Sequence, residues 1–448
     1  MARFIRTQSS NMRLFSFGLI FTLLLLSTSL AFSQPLYEDQ IEDSADDPLE
    51  LQGIQFRSGY GDVPTFGGPG SVGSELRQDN KTRKGLLRLK FIDEALKPWF
   101  DLKGRINSRV GLAFGFDYTS IYQIATESPG EDDSAGGIFR FFGAWTFFGR
   151  GSGNTSTFVY KVENRHDLGT QIAPQNLGFE LGYIGLTAAP YNDAGWLLTN
   201  FYWQQRLLGG KLSILAGIVD PTDYVDIYAL VNPWTQFSNL SFSTSPTIPV
   251  PNQGLGAVIG IMASDNIYIV AGLADTNGDP TDPLENFDTF FEDHEYFTHA
   301  EIGFVSSFDR RYLDNIHVTV WHADKREKFG IPDGWGVAFS SSWYFYDSIL
   351  PFFRAGYSDT AASLLEANVS TGIGYYMKGS SDLVGLGLSW GEPHDNSLED
   401  QYTTELFYRF QLAQNLAVTP DIQFLIDPAN NPEEDFIVVF GIRARLAL

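Results

Sequence analysis

The chain closes with DFIVVFGIRARLAL, residues 435–448. Every second residue of this stretch, from Phe436 to Leu448, is apolar, whereas the alternate positions include Arg443 and Arg445. Because successive side chains of a β-strand point to opposite faces, this period of two predicts a strand with two unlike faces. An edge strand of a soluble protein, a half-buried sandwich strand and a lipid-facing barrel strand all share this pattern.

The same alternation recurs along the chain from residue 109 to the end. Tight turns such as Gly209-Gly210 alternate with long connections such as residues 220–253, 275–296 and 391–400. An even number of strands, with short turns at one end and long loops at the other, is typical of bacterial outer-membrane barrels. The sequence therefore predicts an all-β fold, a 16-stranded antiparallel transmembrane β-barrel of the outer-membrane porin type over residues 109–448. The sixteen segments are 109–124, 137–148, 155–166, 197–207, 211–219, 254–263, 266–274, 297–308, 315–323, 334–346, 350–358, 366–376, 382–390, 401–412, 416–426 and 435–447.

The region before the barrel divides into three parts. The first thirteen residues carry three arginines and no acid, residues 14–30 are strongly apolar, and small residues occupy positions 31 and 33. This arrangement predicts a cleaved signal peptide over residues 1–33, translated from Met1 or Met12, with an uncleaved anchor as the alternative. Residues 34–80 are interpreted as an acidic, then Gly/Pro-rich leader. Residues 81–108 are interpreted as an amphipathic helical segment, with a helix over 81–101 that Pro98 ends or kinks.

Composition narrows the class of protein. The chain has no cysteine, so disulfides and thiolate metal sites are excluded. It carries 54 acidic and 30 basic residues, a net charge of −24, which argues against nucleic acid and anionic lipid surfaces as partners. After the signal peptide no apolar run reaches the roughly 18 residues that a membrane helix needs. A transmembrane strand needs only one apolar face, and the 15% of aromatic residues suits interfacial girdles.

Three features indicate that the apolar face of each strand meets lipid. The predicted signal peptide implies export, aromatic residues lie near the strand ends, and the last residue of the final strand is apolar. The polar face then lines a water-filled lumen, because sixteen strands enclose more space than side chains fill. Either of the loops 220–253 and 275–296 is expected to fold inward and narrow it. We interpret Lys161, Arg354, Asp421, Arg443 and Arg445 as lumen-lining residues. We interpret Arg140, Glu163, Arg165, Arg206, Glu405 and Arg409 as constriction and substrate-binding residues.

These side chains suit sugars, because Arg and Glu can hydrogen-bond hydroxyl groups while aromatic rings cover the apolar faces of the sugar ring. A general diffusion pore for small hydrophilic solutes or ions would carry similar charges. Other chemistry has little support. The six histidines have no metal-ligand spacing, and the acidic stretch 275–286 lacks the Gly and Glu of an EF-hand loop. No G-x-S-x-G motif occurs, which argues against a serine hydrolase. Together these features lead us to expect no enzyme, no metal and no cofactor.

Three stretches resemble the carbohydrate-selective porins of the OprB family. They are TNFYWQQRLLGGKLSILAGIVDPTDYVD at 199–226, GLADTNGDPTD at 272–282 and ELFYRFQLAQNLAVTPDIQFLIDPANNP at 405–432. The resemblance covers roughly residues 105–448. It implies a sixteen-stranded outer-membrane barrel that passes small sugars by passive diffusion. Two features depart from the family's pattern: the leader 34–80 is long, and the chain ends on Leu448 where barrel-assembly signals usually have an aromatic residue.

The sequence-based hypothesis is therefore a sugar-selective porin of the outer membrane, with lipid and small carbohydrates as its partners and no nucleic acid. A general porin, and a structural or enzymatic barrel, stay open as alternatives. Homotrimers are common among barrels of this size, so a trimer is kept as a hypothesis. The residues do not specify which sugar is preferred.

Overall fold

The structure is a computed structural model that describes residues 65–448. Its sixteen antiparallel strands form one closed sheet, in which each strand pairs with its neighbours in the chain and the last pairs with the first. Asp117 of the first strand lies opposite Ala447 of the last, and Ala125 lies opposite Val439. The predicted strand count is confirmed, as is the closure of the barrel by the C-terminal stretch. The predicted signal peptide, and the leader up to residue 64, lie outside the described residues.

Sixteen strands and five α-helices have the following bounds. The strands are β1 Leu112–Ala125, β2 Asp133–Phe148, β3 Ser156–Asp167, β4 Gly195–Leu207, β5 Leu212–Val219, β6 Gly254–Met262, β7 Ile267–Asp275, β8 Tyr296–Val305, β9 Asn315–Ala323, β10 Gly334–Ser342, β11 Ile349–Ser358, β12 Ala367–Tyr376, β13 Leu383–Glu392, β14 Gln401–Gln411, β15 Leu416–Ile426 and β16 Phe436–Ala447. The α-helices are α1 Val72–Asp79, α2 Lys90–Val110, α3 Pro174–Glu180, α4 Leu240–Ser243 and α5 Glu285–Asp288. Short 3₁₀ turns at Leu208–Gly210, Pro221–Asp223, Phe308–Arg310 and Glu327–Phe329, and a π turn at Thr289–Asp293, lie in the connections.

The two ends of the barrel differ in the length of their connections. At one end, here called the short-turn end, β1 begins, β16 ends, and connections such as 208–211, 263–266 and 412–415 are tight. At the other end, the long-loop end, residues 168–194, 220–253 and 276–295 connect the strands. This asymmetry is typical of outer-membrane barrels, whose short turns face the periplasm.

The two faces of the final strand match the sequence pattern. Phe436, Phe440 and Ile442 are 49%, 50% and 45% exposed on the outer wall. Arg443 and Arg445 point inward and are buried. Since exposed apolar side chains of this kind recur around the barrel, the outer wall is an apolar surface suited to lipid.

The helix before the barrel differs from its predicted bounds. It spans Lys90–Val110 instead of residues 81–101, and it contains Pro98 without ending there. Proline removes one hydrogen bond from a helix, and the other hydrogen bonds of this 21-residue helix maintain it on both sides of Pro98. The helix ends at Gly111, whose φ of 76° allows its N–H to donate to the carbonyl of Asn107. Trp99 packs edge-on against Phe114, with ring centroids 5.9 Å apart, so α2 lies against the outer wall where β1 begins.

Residues 65–80, here called the N-terminal segment, lie inside the barrel. Phe66 is 3% exposed, and Val72 and Leu76 on α1 are 0% and 4% exposed. They pack in one apolar cluster with inward-facing residues of the wall, among them Phe142 of β2 and Tyr268 of β7. The three apolar side chains thus give residues 65–80, the last part of the predicted leader, a buried face.

Residues 220–253, here called the inward loop, also fold into the barrel. Of the two loops predicted to do so, this one is almost entirely buried, whereas residues 275–296 alternate between buried and exposed positions. Leu230, Phe237 and Phe242 pack against Phe352 of β11 and Phe407 of β14. The N-terminal segment and the inward loop therefore occupy a large part of the interior.

Among residues 65–448, no helix has both the length and the apolar character required to cross a membrane.

Candidate functional site

All eleven charged residues predicted for the lumen lie on the inner face of the barrel. Nine are buried and two, Arg206 and Arg409, are half-buried. The strands place them there because a period of two sends alternate side chains inward. What the alternation does not specify is the set of contacts that each side chain makes inside.

Two inward arginines hold the N-terminal segment. Arg140 of β2 contacts both carboxylate oxygens of Glu75, with the shorter distance, between Nη2 and Oε1, at 2.8 Å. Arg445 of β16 makes a bidentate pair with Asp79, in which Nη1–Oδ1 and Nη2–Oδ2 are both 2.8 Å. Both arginines also donate to Asp117, which lies on β1 between them. Because Glu75 and Asp79 are four residues apart on α1, one helical face meets both arginines.

The ionisation of the two acids on α1 differs. Burial raises the pKa of Glu75 to about 7, because removal from water outweighs the attraction of Arg140. Burial acts in the same direction on Asp79, but the ion pair with Arg445 overcomes it and lowers the pKa of Asp79 to about 2. The N-terminal segment is therefore held by one firmly ionised carboxylate and by one that titrates near neutrality.

Arg354 of β11 holds the start of the inward loop. It donates to Asp226, whose carboxylate also lies 3.0 Å from His317 Nε2 and 2.6 Å from Ser340 Oγ. The Arg354 guanidinium also donates to the carbonyl of Thr244 at 2.9 Å. One buried arginine thus joins two parts of the loop to the wall.

Strands β14 and β16 hold the middle of the inward loop. The Glu405 carboxylate accepts the backbone N–H groups of Ser238 and Asn239 at 2.8 and 2.9 Å. Arg443 donates to the carbonyl of Pro233 at 2.5 Å, and Arg409 donates to that of Thr235 at 3.3 Å. Charge-assisted bonds from buried side chains to loop backbone fix the path of the loop whatever its side chains are. On β15, the Asp421 carboxylate accepts a hydrogen bond from the Gln423 amide at 3.2 Å.

Three charges of β3 form a short ladder. Glu163 accepts from Arg165 at 2.8 Å, and Lys161 lies 3.9 Å from Glu163 and 3.9 Å from Asp220. Nearby, burial raises the pKa of Asp223 on the inward loop to about 7, against the attraction of Lys161. This ladder meets the first residues of the inward loop.

Six of the charges predicted for the lumen contact parts of the chain that lie inside the barrel. Arg140 and Arg445 contact the N-terminal segment, whereas Arg354, Arg409, Arg443 and Glu405 contact the inward loop. The physical reason is that a buried charge requires a partner, and the two inserted segments supply carboxylates and carbonyls. Periodicity revealed the face but could not reveal the inserted partners. Their roles in lining and constricting the pathway stay predictions for all six charges.

Arg206 has different surroundings. It borders a chamber of about 840 Å³ at the short-turn end, enclosed by α1, the start of β1 and strands β2–β4. The chamber wall also contains Thr155, Gln204, Tyr202 and Tyr224. The hydroxyls of the two tyrosines lie 2.9 Å apart. Apart from Arg206, these residues could not be predicted from the sequence, because uncharged polar side chains at strand ends carry no distinctive pattern.

No group of three or more His, Cys, Asp or Glu within residues 65–448 could hold a metal ion. Most of the charges described above neutralise one another in ion pairs. The side chains that line the chamber can form hydrogen bonds with a solute.

Comparisons with known proteins agree with this architecture. The family model described as carbohydrate-selective porin, OprB family, matches residues 332–448, which contain β10–β16. The high-pH structure of Pseudomonas putida OprB superposes with a TM-score of 0.62 at 13% identity, covering 78% of this chain and 97% of that chain. Its low-pH structure gives a TM-score of 0.48 at 11% identity, covering 78% and 96%. A mutant of Rh. blastica porin gives 0.47 at 12% identity, covering 75% and 100%. No curated protein matches the chain.

The fold is thus a closed 16-stranded β-barrel of the outer-membrane porin type. The resemblance to the OprB family found in the sequence is confirmed by the family model over the last seven strands. The motif stretches at residues 199–226 and 272–282 lie before the matched part, whereas the stretch at residues 405–432 lies within it.

Proposed function

We propose that this protein is an outer-membrane porin through which small carbohydrates diffuse passively. The observation that carries the proposal is the match of β10–β16 to the carbohydrate-selective porin family, on a barrel of the porin type. An interior that combines aromatic rings with hydroxyl, amide and guanidinium groups supports it, because these groups suit both the faces and the hydroxyls of a sugar.

In this proposal residues 1–33 direct export and are removed, and the barrel over residues 109–448 is inserted in the outer membrane. Its short-turn end faces the periplasm, as in other barrels of this class. Residues 65–80, the last part of the leader, contribute to the interior of the barrel. A homotrimer, as is common for barrels of this size, is part of the proposal. Catalysis and cofactors have no part in it.

The lining of the pathway is proposed more narrowly than the sequence suggested. Most Arg and Glu side chains of the inner face position the inserted segments, and Arg206 borders open space. Solute would therefore meet Arg206 and the polar and tyrosine side chains beside it. The other charges would act on permeation through the positions of the N-terminal segment and the inward loop.

Conductance in planar lipid bilayers tests the proposal. Purified full-length protein should form ion-conducting channels that glucose or maltose at millimolar concentration partly blocks. Liposome swelling should give faster entry of these sugars than of a neutral solute of equal size that lacks a sugar ring. Ion flow without any effect of sugar would favour a general diffusion porin for small hydrophilic solutes or ions. Protein that inserts into the bilayer but conducts nothing would refute both.

A further inference from the structure

The chamber at the short-turn end has a distinctive charge. Its wall holds three arginines, Arg77, Arg150 and Arg206, and no Asp or Glu among the described residues. The chain as a whole has 54 acidic residues against 30 basic ones. In so acidic a protein, a concave surface with only positive side chains focuses a positive potential that favours anions.

Nε of Arg206 and the hydroxyl of Thr155 are buried polar groups of the chamber wall for which residues 65–448 supply no hydrogen-bond partner. The two residues lie opposite each other beside the paired strands β3 and β4, where the Arg206 N–H donates to the Thr155 carbonyl at 2.8 Å. Arg206 makes no ion pair in the described part of the chain, unlike Arg140, Arg354 and Arg445. Buried donors are rarely left without an acceptor. Arg206 borders the chamber without a carboxylate partner, so an anion inside the chamber could supply the missing acceptor.

The remaining wall suits the neutral part of a sugar. Gln204 and Thr157 present amide and hydroxyl groups, and Tyr202 and Tyr224 present aromatic rings. The volume of about 840 Å³ lies within the range of roughly 300–1,000 Å³ that small-molecule sites occupy. At the rim, Phe148 of β2 is 69% exposed, so the chamber reaches the surface at the turn between β2 and β3.

We propose that this chamber is a binding site for anionic monosaccharides, sugars that carry a carboxylate or a phosphate, with Arg206 as the residue that binds the anionic group. The inference deepens the proposed function by naming a class of solute, and it is tested by binding, which does not require transport. Arg206 donates to the anion, Thr155 donates to the same group or to a neighbouring hydroxyl, and the tyrosines cover the sugar ring.

Calorimetric titration of the full chain in detergent micelles tests the proposal. The probes are glucuronate, glucose 6-phosphate and glucose, with inorganic phosphate as an anion that has no sugar ring. We expect both anionic sugars to bind about tenfold more tightly than glucose and than phosphate at low ionic strength, and the preference to shrink with added salt.

Arg206→Gln should weaken binding of glucuronate about tenfold while glucose binding changes less than about twofold. Arg206→Lys keeps the charge and should retain most of the preference, which separates loss of charge from loss of structure. The matched control is Arg105→Gln, which removes one exposed arginine of α2 outside the chamber and should change nothing.

Equal affinity for glucose and glucuronate, or an unchanged preference in Arg206→Gln, would overturn the proposal. Phosphate binding as tight as that of glucuronate would also overturn it, because the chamber would then bind anions irrespective of the sugar. Failure of the proposed function is distinguishable: selective binding of glucuronate by a protein that passes no sugar into liposomes contradicts the transport function alone. Glucose entry without any preference in binding contradicts this inference alone.

Discussion

The pair between Asp79 and Arg445 is the contact whose loss should most readily detach the N-terminal segment from the wall. Asp79→Asn keeps the size of the side chain and removes its charge. Removing one partner from a buried ion pair costs about 3–5 kcal/mol. Arg445 retains Asp117, with its Nε 2.8 Å from Oδ2, and asparagine still accepts one hydrogen bond, so we take the lower value of about 3 kcal/mol. The fraction of molecules with a detached segment should therefore rise roughly 100-fold.

Thiol labelling measures this fraction directly. The chain has no cysteine, so Ser74→Cys introduces a single thiol on α1, at a side chain of nearly the same size that is 5% exposed. When detachment and return are fast relative to labelling, the labelling rate follows the detached fraction. The rate with a maleimide in the intact barrel should rise roughly 100-fold when Asp79→Asn is added.

The control variant is Asp265→Asn, which removes an exposed partner of Lys211 in the turn between β6 and β7. It should leave the labelling rate of the cysteine at position 74 unchanged, since exposed pairs contribute little. A rate in Asp79→Asn within about twofold of its parent would refute the reasoning that this buried pair holds the segment. Rapid labelling of the parent itself would refute the burial of α1.

Three further predictions use related measurements. The pKa of Glu75 is raised by burial from 4.5 to about 7, so attachment of the N-terminal segment is strongest below about pH 4.5 and weakens as the pH rises through 7. We therefore compare the labelling rate of the cysteine at position 74 with the rate of the same cysteine in the Glu75→Gln variant. The ratio of the two rates should rise from about pH 5 to pH 8, and a constant ratio would contradict the raised pKa of Glu75. Ile442→Arg places a charge on the outer wall and should destabilise the barrel by about 2–4 kcal/mol, seen as a lower temperature of gel-shift unfolding in detergent, whereas Ile442→Leu should not. Glu405→Ala removes the acceptor for two backbone N–H groups of the inward loop and should increase single-channel conductance and its fluctuations. Steady conductance equal to that of the parent would show that this carboxylate does not hold the loop.

Much of the barrel could be predicted because one local rule governs it. In every strand the apolar or polar character of alternate residues indicates which face meets lipid and which faces the lumen. Turn residues indicate where the chain reverses. The strand bounds predicted near the C-terminus, 416–426 and 435–447, differ from Leu416–Ile426 and Phe436–Ala447 by at most one residue. The helix before β1 was displaced by nine residues at each end, because amphipathic spacing extends over residues 81–89 as well. There the chain instead crosses the short-turn end, where the Leu89 N–H donates to the Leu412 carbonyl at 2.6 Å.

The candidate site was predicted only in part. Arg206 was selected for its charge and its face, and it borders the chamber. Arg140 and Arg445 were selected on the same grounds, yet they bind Glu75 and Asp79 from a segment that precedes the barrel by more than thirty residues. Nothing in the alternation of a strand indicates whether an inward charge meets solvent or another part of the chain.

The sequence by itself determined the number of strands, their order and which face of each meets lipid, because the period of two acts within a few residues. Only the tertiary structure decided which inward charges are neutralised and which remain available to a solute. That decision depends on two inserted segments, residues 65–80 and 220–253, whose contacts join positions far apart in the chain. In DFIVVFGIRARLAL the outer face is therefore readable from the letters, whereas the partners of Arg443 and Arg445 are a property of the folded interior.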